Sequence, residues 1–217
     1  MTDQSSTQKK GRIPWITVLT IIVCTALLPY GELLSLKPVF VIDAFTTHSE
    51  NIGTALLSFV VYMFQHSTFE HYEGNIIFFV LCGAFLEQAI GRWRFAVFVL
   101  ATGIGAGLVH VLLKSDLTIG VIGLSGVTMG LMATVAVAGR RLINLGWLVL
   151  VVRALVLITA GLQLFGYFFG KGMQHGDSSS YSLHLGSAVV GLSLYLLWLR
   201  EGLIAEKVTS GGVNPLA

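Results

Sequence analysis

The sequence predicts an all-α polytopic membrane protein with six transmembrane helices, and three observations carry that prediction. Hydrophobic residues make up 54% of the 217-residue chain and charged residues only 11%, with a mean hydropathy of +0.81, too apolar for a soluble domain of this length. Apolar runs of span length recur along the chain, separated by short polar stretches. The basic residues also sort by side. With six spans, Lys9, Lys10, Arg12, Arg92, Arg94, Arg140, Arg141, Arg200 and Lys207 face the cytoplasm, whereas Lys37, Lys114 and Lys171 face outside. Both termini are then cytoplasmic.

In chain order, residues 1–12 form a polar cytoplasmic tail ending in Lys9, Lys10 and Arg12, and the membrane domain occupies 13–200. The run Ile13 to about Tyr30 lacks an Ala-x-Ala type cleavage site and reads as an uncleaved signal anchor, the first span. An external loop over 31–53 carries Glu32, Lys37, Asp43, His48 and Glu50. The apolar piece Thr54 to Gln65 that follows is too short to span and reads as an interfacial or partly embedded helix.

The second span runs from about Phe69 to Ile90, with a turn at 91–94, and the third from about Phe95 to Leu113. After the polar loop Lys114 to Thr118 comes a short fourth helix starting at Ser125. The fifth span covers about Leu142 to Phe169. A Gly/Ser-rich loop leads to the sixth, about Tyr181 to Leu199, and residues 201–217 form a cytoplasmic C-terminal tail. Cys24 and Cys82 lie in different spans and read as small core hydrophobes, so neither a disulfide nor a metal site is implied.

The fourth helix organises the rest. From Ser125 to Arg140 it is only about 15 residues, roughly 22 Å, against roughly 30 Å of hydrocarbon, so the serine lies below the membrane surface. A recessed helix start leaves free N–H groups that only protein or a water-filled cavity can satisfy, which predicts that the other helices surround it. Measured from the basic residue closing each span, Ser125 lies roughly 22 Å, His184 roughly 24 Å, Asn75 roughly 26 Å and His71 roughly 31 Å up. Polar groups are expensive in spans and tend to face one another, so this shared depth on three helices points to one site.

The chemistry available is acyl transfer. A serine hydroxyl needs a base to take its proton, and His184 is the histidine placed to do so; no carboxylate shares its depth, which makes a Ser-His dyad. The Ser125 amide at the helix start, with His71 and Asn75 one turn apart on one face, supplies donors for an oxyanion. Each piece has a plainer reading: Gly-x-Ser-Gly arises by chance in Gly-rich spans, and His66, His71 and Asn75 can merely solvate a helix end. Gly126 with Gly130, Ser187 with Gly191, and Gly103 with Gly107 form small-xxx-small faces that let helices approach closely.

These residues resemble the rhomboid intramembrane serine proteases. The match comprises His66-x4-His71-x3-Asn75, Glu87-x3-Gly91-Arg92, Gly123-Leu124-Ser125-Gly126, and His184-Leu185-Gly186 with Gly191, over roughly 54–200. The resemblance implies a rhomboid-like bundle with a short central fourth helix, with Ser125 as nucleophile and His184 as general base and then general acid. It also implies an oxyanion hole of His71, Asn75 and the Leu124 and Ser125 amides, and no cofactor. Expected partners are single-span membrane protein substrates and the lipid bilayer, with no nucleic acid, and the expected location is the inner membrane of a bacterial cell. Three departures stand out: no Trp-Arg pair occurs between Tyr30 and His66, Met129 replaces an aromatic four after the serine, and Ser187 replaces glycine three after the histidine.

Other functions predict other features. An inactive rhomboid-like client-binding protein is expected to lack the serine or the histidine, and both are present. A protease specialised for a C-terminal sorting signal would share the fold. A transporter favours paired intramembrane charges and an internal repeat. The candidates here are Arg153, which either snorkels to the cytoplasmic face or meets Glu87, and Glu87 itself. Phe165, Tyr167, Phe168 and Phe169, beside Gly170, Gly172 and Gly176, suggest a lateral gate or an interfacial aromatic belt.

Overall fold

A computed structural model describes residues 13–30, 52–113, 120–139, 146–169 and 178–202. The expected N-terminal tail, the 31–51 part of the external loop, the Lys114 to Thr118 loop, the Gly170 to Asp177 stretch and most of the C-terminal tail lie outside these residues. All the described regular structure is helical: α1 (Trp15–Leu27), α2 (Ile52–Val61), α3 (Phe69–Ile90), α4 (Arg92–Leu113), α5 (Ser125–Ala138), α6 (Gly146–Phe169) and α7 (Ser178–Arg200), with 3-10 turns after α1 and α2.

Among the described residues, three stretches are long and apolar enough to cross a bilayer by themselves, Phe69–Ile90, Arg92–Leu113 and Ser182–Arg200. Trp15–Tyr30, Ile52–Phe64, Ser125–Ala138 and Gly146–Leu162 are shorter apolar helices. Where the sequence suggests a four-residue turn at 91–94, the chain uses one residue. Gly91 takes φ +85°, donates its amide to the Glu87 carbonyl (2.8 Å), and α4 begins at Arg92. A left-handed glycine reverses the chain without a loop.

At the centre stands α5. It packs against α3, α4, α6 and α7, and Gly126, Val127, Thr128, Leu131, Ala133 and Val135 are buried on every side of it. A helix buried over most of its surface, with Val137 of its last turn exposed, is a core element. Small residues make this possible. A Cβ on Gly130 would sit 2.7 Å from Ser187 Oγ and 3.0 Å from its carbonyl oxygen, and one on Gly191 would sit 3.0 Å from the Gly130 carbonyl oxygen. The α5–α7 seam is therefore backbone against backbone, and a methyl there would force the helices apart, an overpacking worth about 1–3 kcal/mol.

Glu87 and Arg153, the pair that the sequence offered as intramembrane partners, act separately, and neither meets the other. Glu87, 2% exposed, accepts from the Ile16 and Thr17 amides (2.9 and 2.8 Å) and from Thr17 Oγ1 (2.8 Å). It thus supplies from α3 the cap that Pro14, at the N-cap of α1, lacks. Arg153 of α6 donates through Nε to the Ala136 carbonyl (2.8 Å), in the last turn of α5. A cation on a helix C-terminus satisfies both an orphan carbonyl and the dipole.

Candidate active site

The segment between α2 and α3 sets the mouth of α5. Tyr62, in the 3-10 turn after α2, donates its hydroxyl to the Gly103 carbonyl of α4 (2.7 Å), and its own carbonyl accepts from the Gly123 amide (2.9 Å). The short apolar helix is thereby locked to the bundle; Ala55, Ser58, Phe59, Tyr62 and Met63 are buried. Gly123, with φ +109°, turns the chain into α5, where Ser125 is the first helical residue.

Thr68 caps α3, its Oγ1 accepting from the His71 amide (3.1 Å), which places His71 and Asn75 in the first two turns. Asn75 Nδ2 donates to the His71 carbonyl (3.0 Å). His71 Nδ1 lies 3.4 Å from Ser67 Oγ. When that hydroxyl donates to Nδ1, the proton sits on Nε2, the atom turned toward the mouth of α5: the Cβ position of Gly123 is 2.7 Å from Nε2 and 3.6 Å from Asn75 Nδ2. The two side chains predicted as donors thus both face the turn that delivers Ser125.

The sequence alone assigns His66 no catalytic part; it reads as solvating a helix end and belongs to the spacing that carries the resemblance. The structure buries it completely and sets its ring edge-on to both His71 (centroids 5.1 Å apart) and Tyr72 (5.5 Å). Its Nε2 accepts a long hydrogen bond from the Leu124 amide (3.4 Å), so that amide points at His66. Burial, chiefly, and charge on His71 push the His66 pKa down to about 4, against the opposing effect of the Phe64 backbone. A neutral ring is what an acceptor for Leu124 requires. The signal for His66 was its place in the His66-x4-His71-x3-Asn75 spacing.

Opposite, α7 brings His184 to the same mouth. Leu183 lies 3.1 Å from the Cβ position of Gly126, and Ser187 Oγ donates to the Gly126 carbonyl. Ser125 and His184 are thus the chain neighbours of Gly126 and Leu183, which meet where α5 packs on α7, and both are half-buried. The helix supplies a further element. The Thr128 amide is the first bonded back within α5, to the Leu124 carbonyl (2.9 Å), which leaves the amides of Ser125 to Val127 without an intrahelical partner. Ser187, the departure from glycine, uses its hydroxyl to tie the two helices.

Of the proposed gate residues, Phe165 is 56% exposed; the side chains of Tyr167, Phe168 and Phe169 and the glycines at 170, 172 and 176 lie outside the described residues. The half of α6 near Gly146 packs through Leu148, Val149 and Val152, whereas Leu157, Ile158, Leu162 and Phe165 of the other half are exposed.

The rhomboid domain family model matches residues 53–201. Comparison with curated proteins finds no match.

Proposed function

We propose, from the premise that the chain belongs to the rhomboid family, that it is an intramembrane serine endopeptidase with six spans and cytoplasmic termini. The observation that carries this reading is the junction at Gly126, where the turn bearing Ser125 meets the α7 residues on either side of His184.

In the proposed reaction His184 takes the proton of Ser125 Oγ as that oxygen attacks the carbonyl carbon of the scissile peptide. The oxyanion is held by the Ser125 amide, His71 Nε2 and Asn75 Nδ2. The C–N bond then breaks, the leaving amine takes the proton from His184, and the acyl group remains as an ester on Ser125. Water attacks the ester, losing its proton to His184, and the carboxylic acid leaves as that proton returns to Ser125. The amide of Leu124 joins the oxyanion hole only if it turns from His66. Substrates are single-span membrane proteins unwound near the external boundary of a bacterial inner membrane, and no cofactor takes part.

The test is labelling of the purified chain by a fluorophosphonate probe together with cleavage of a transmembrane substrate. Ser125→Ala should abolish both and His184→Ala should abolish cleavage, while Asn75→Ala lowers turnover by roughly a hundredfold to a thousandfold when it acts without compensation from His71. Cleavage surviving in Ser125→Ala removes the assignment. An unlabelled, inactive but folded wild type favours the client-binding reading.

A further inference from the structure

A cavity lies at the end of the bundle away from Ser125. It is open to the surface, measures about 560 Å³ and is lined by Ile13 and Pro14 ahead of α1, by Gln88 of α3, and by Arg92, Trp93 and Arg94 at the start of α4. Glu87, Ile90 and Gly91 complete the wall. Nothing in the proposed peptide-bond chemistry uses these residues.

Its electrostatics favour an anion. Arg92 is exposed, and Arg94 spends one N–H on the Ile90 carbonyl (3.2 Å), leaving four guanidinium donors by the chemistry of the group. The carboxylate in its wall, Glu87, is turned to α1, where three donors hold it. Phe95 is the first residue of α4 bonded back, to the Gly91 carbonyl (3.0 Å), so the amides of 92 to 94 have no intrahelical partner in the same wall. Two guanidiniums and a row of amides around a cavity suit a phosphate.

The tryptophans say where that phosphate resides. All four in the chain lie at this end: Trp15 and Trp93 begin α1 and α4, Trp147 begins α6, and Trp198 closes α7. Tryptophan collects at the depth of lipid headgroups. Trp93, 86% exposed, stands on the cavity rim itself. Exposed Ile13 at the rim, and exposed Val97 one turn along α4, continue it into an apolar surface suited to acyl chains. We propose that this cavity binds the phosphate of an anionic phospholipid from the leaflet opposite Ser125. A zwitterionic headgroup is disfavoured because its ammonium would meet the two arginines.

The experiment uses the full chain in nanodiscs, with native mass spectrometry counting retained lipid and no cleavage readout. Phosphatidylglycerol in a phosphatidylcholine background should be retained selectively. Arg92→Gln with Arg94→Gln should weaken that retention by roughly thirtyfold, at about one surface-cation increment per arginine, whereas Arg200→Gln at the same end should leave it within twofold. Wild-type protein supplies an independent reading: a quencher on the anionic headgroup should reduce tryptophan emission in the wild type well beyond its effect on Trp93→Phe. Equal losses in the double variant and Arg200→Gln, or equal quenching in wild type and Trp93→Phe, overturn the proposal. So does inorganic phosphate that displaces the lipid and stabilises the protein as well as the lipid does, since the site would then serve a soluble anion.

Discussion

The Cβ position of Gly123 falls 2.7 Å from Nε2 of His71, so the turn into α5 and the donor histidine of α3 share a space that only glycine leaves open. At φ +109° the backbone also disfavours any L side chain. Gly123→Ala should therefore displace the imidazole, lower stability by about 1–3 kcal/mol, and cut cleavage at least tenfold. Adding His71→Ala to Gly123→Ala should recover part of the lost stability in a thermal unfolding measurement. A double variant no more stable than Gly123→Ala shows that the ring is not what the methyl meets.

The bond from Arg153 to the Ala136 carbonyl predicts a structural rather than a transport role for that cation. Arg153→Met should destabilise the protein by about 1–2 kcal/mol, with Arg153→Lys recovering part of it. Unfolding in denaturing detergent measures both; an unchanged midpoint in Arg153→Met would assign α5 another cap.

His66, with its pKa lowered to about 4 from an ordinary 6.5, titrates at lower pH folded than unfolded. The unfolded chain therefore binds the extra proton between these values. The His66 contribution to stability is complete above about pH 6.5 and falls as pH drops toward 4. His66→Leu should flatten that part of the stability profile. If wild type and variant lose stability in parallel over that range, His66 is not the group responsible.

The outward-facing half of α6 motivates a prediction about substrate entry. Replacing Phe165 and Phe168 by Ala should raise cleavage of a transmembrane substrate more than cleavage of a soluble peptide, because only the former must pass between helices. Proportionate changes in both place the entrance elsewhere.

What the sequence made legible was local. Apolar length and a polar break marked α3, and the glycine beside Ser125 marked the start of α5 to the residue, because a helix with no room to span has one place to begin. Shared depth also brought Ser125, His71, Asn75 and His184 to the same end. Long-range pairing was not legible. Glu87 and Arg153 read as a possible ion pair because both are charges in spans, yet each meets the end of another helix, and nothing in a local pattern says which end is near. His66 was undervalued for a similar reason: its partner, the Leu124 amide, lies 58 positions away.

The cap that Glu87 places on α1 has a consequence in time. Ile16 and the carboxylate that holds its amide are separated by 71 positions, which at about 5–20 residues per second is roughly 4 to 14 s of synthesis. The first helix therefore emerges from the ribosome well before its cap exists. Its second tie to α3, Thr25 Oγ1 to Tyr72 OH (2.7 Å), is also made late. During that interval α1 relies on lipid and water, or on the insertion machinery, for what Glu87 later provides. Assembly of this bundle begins with a helix that waits.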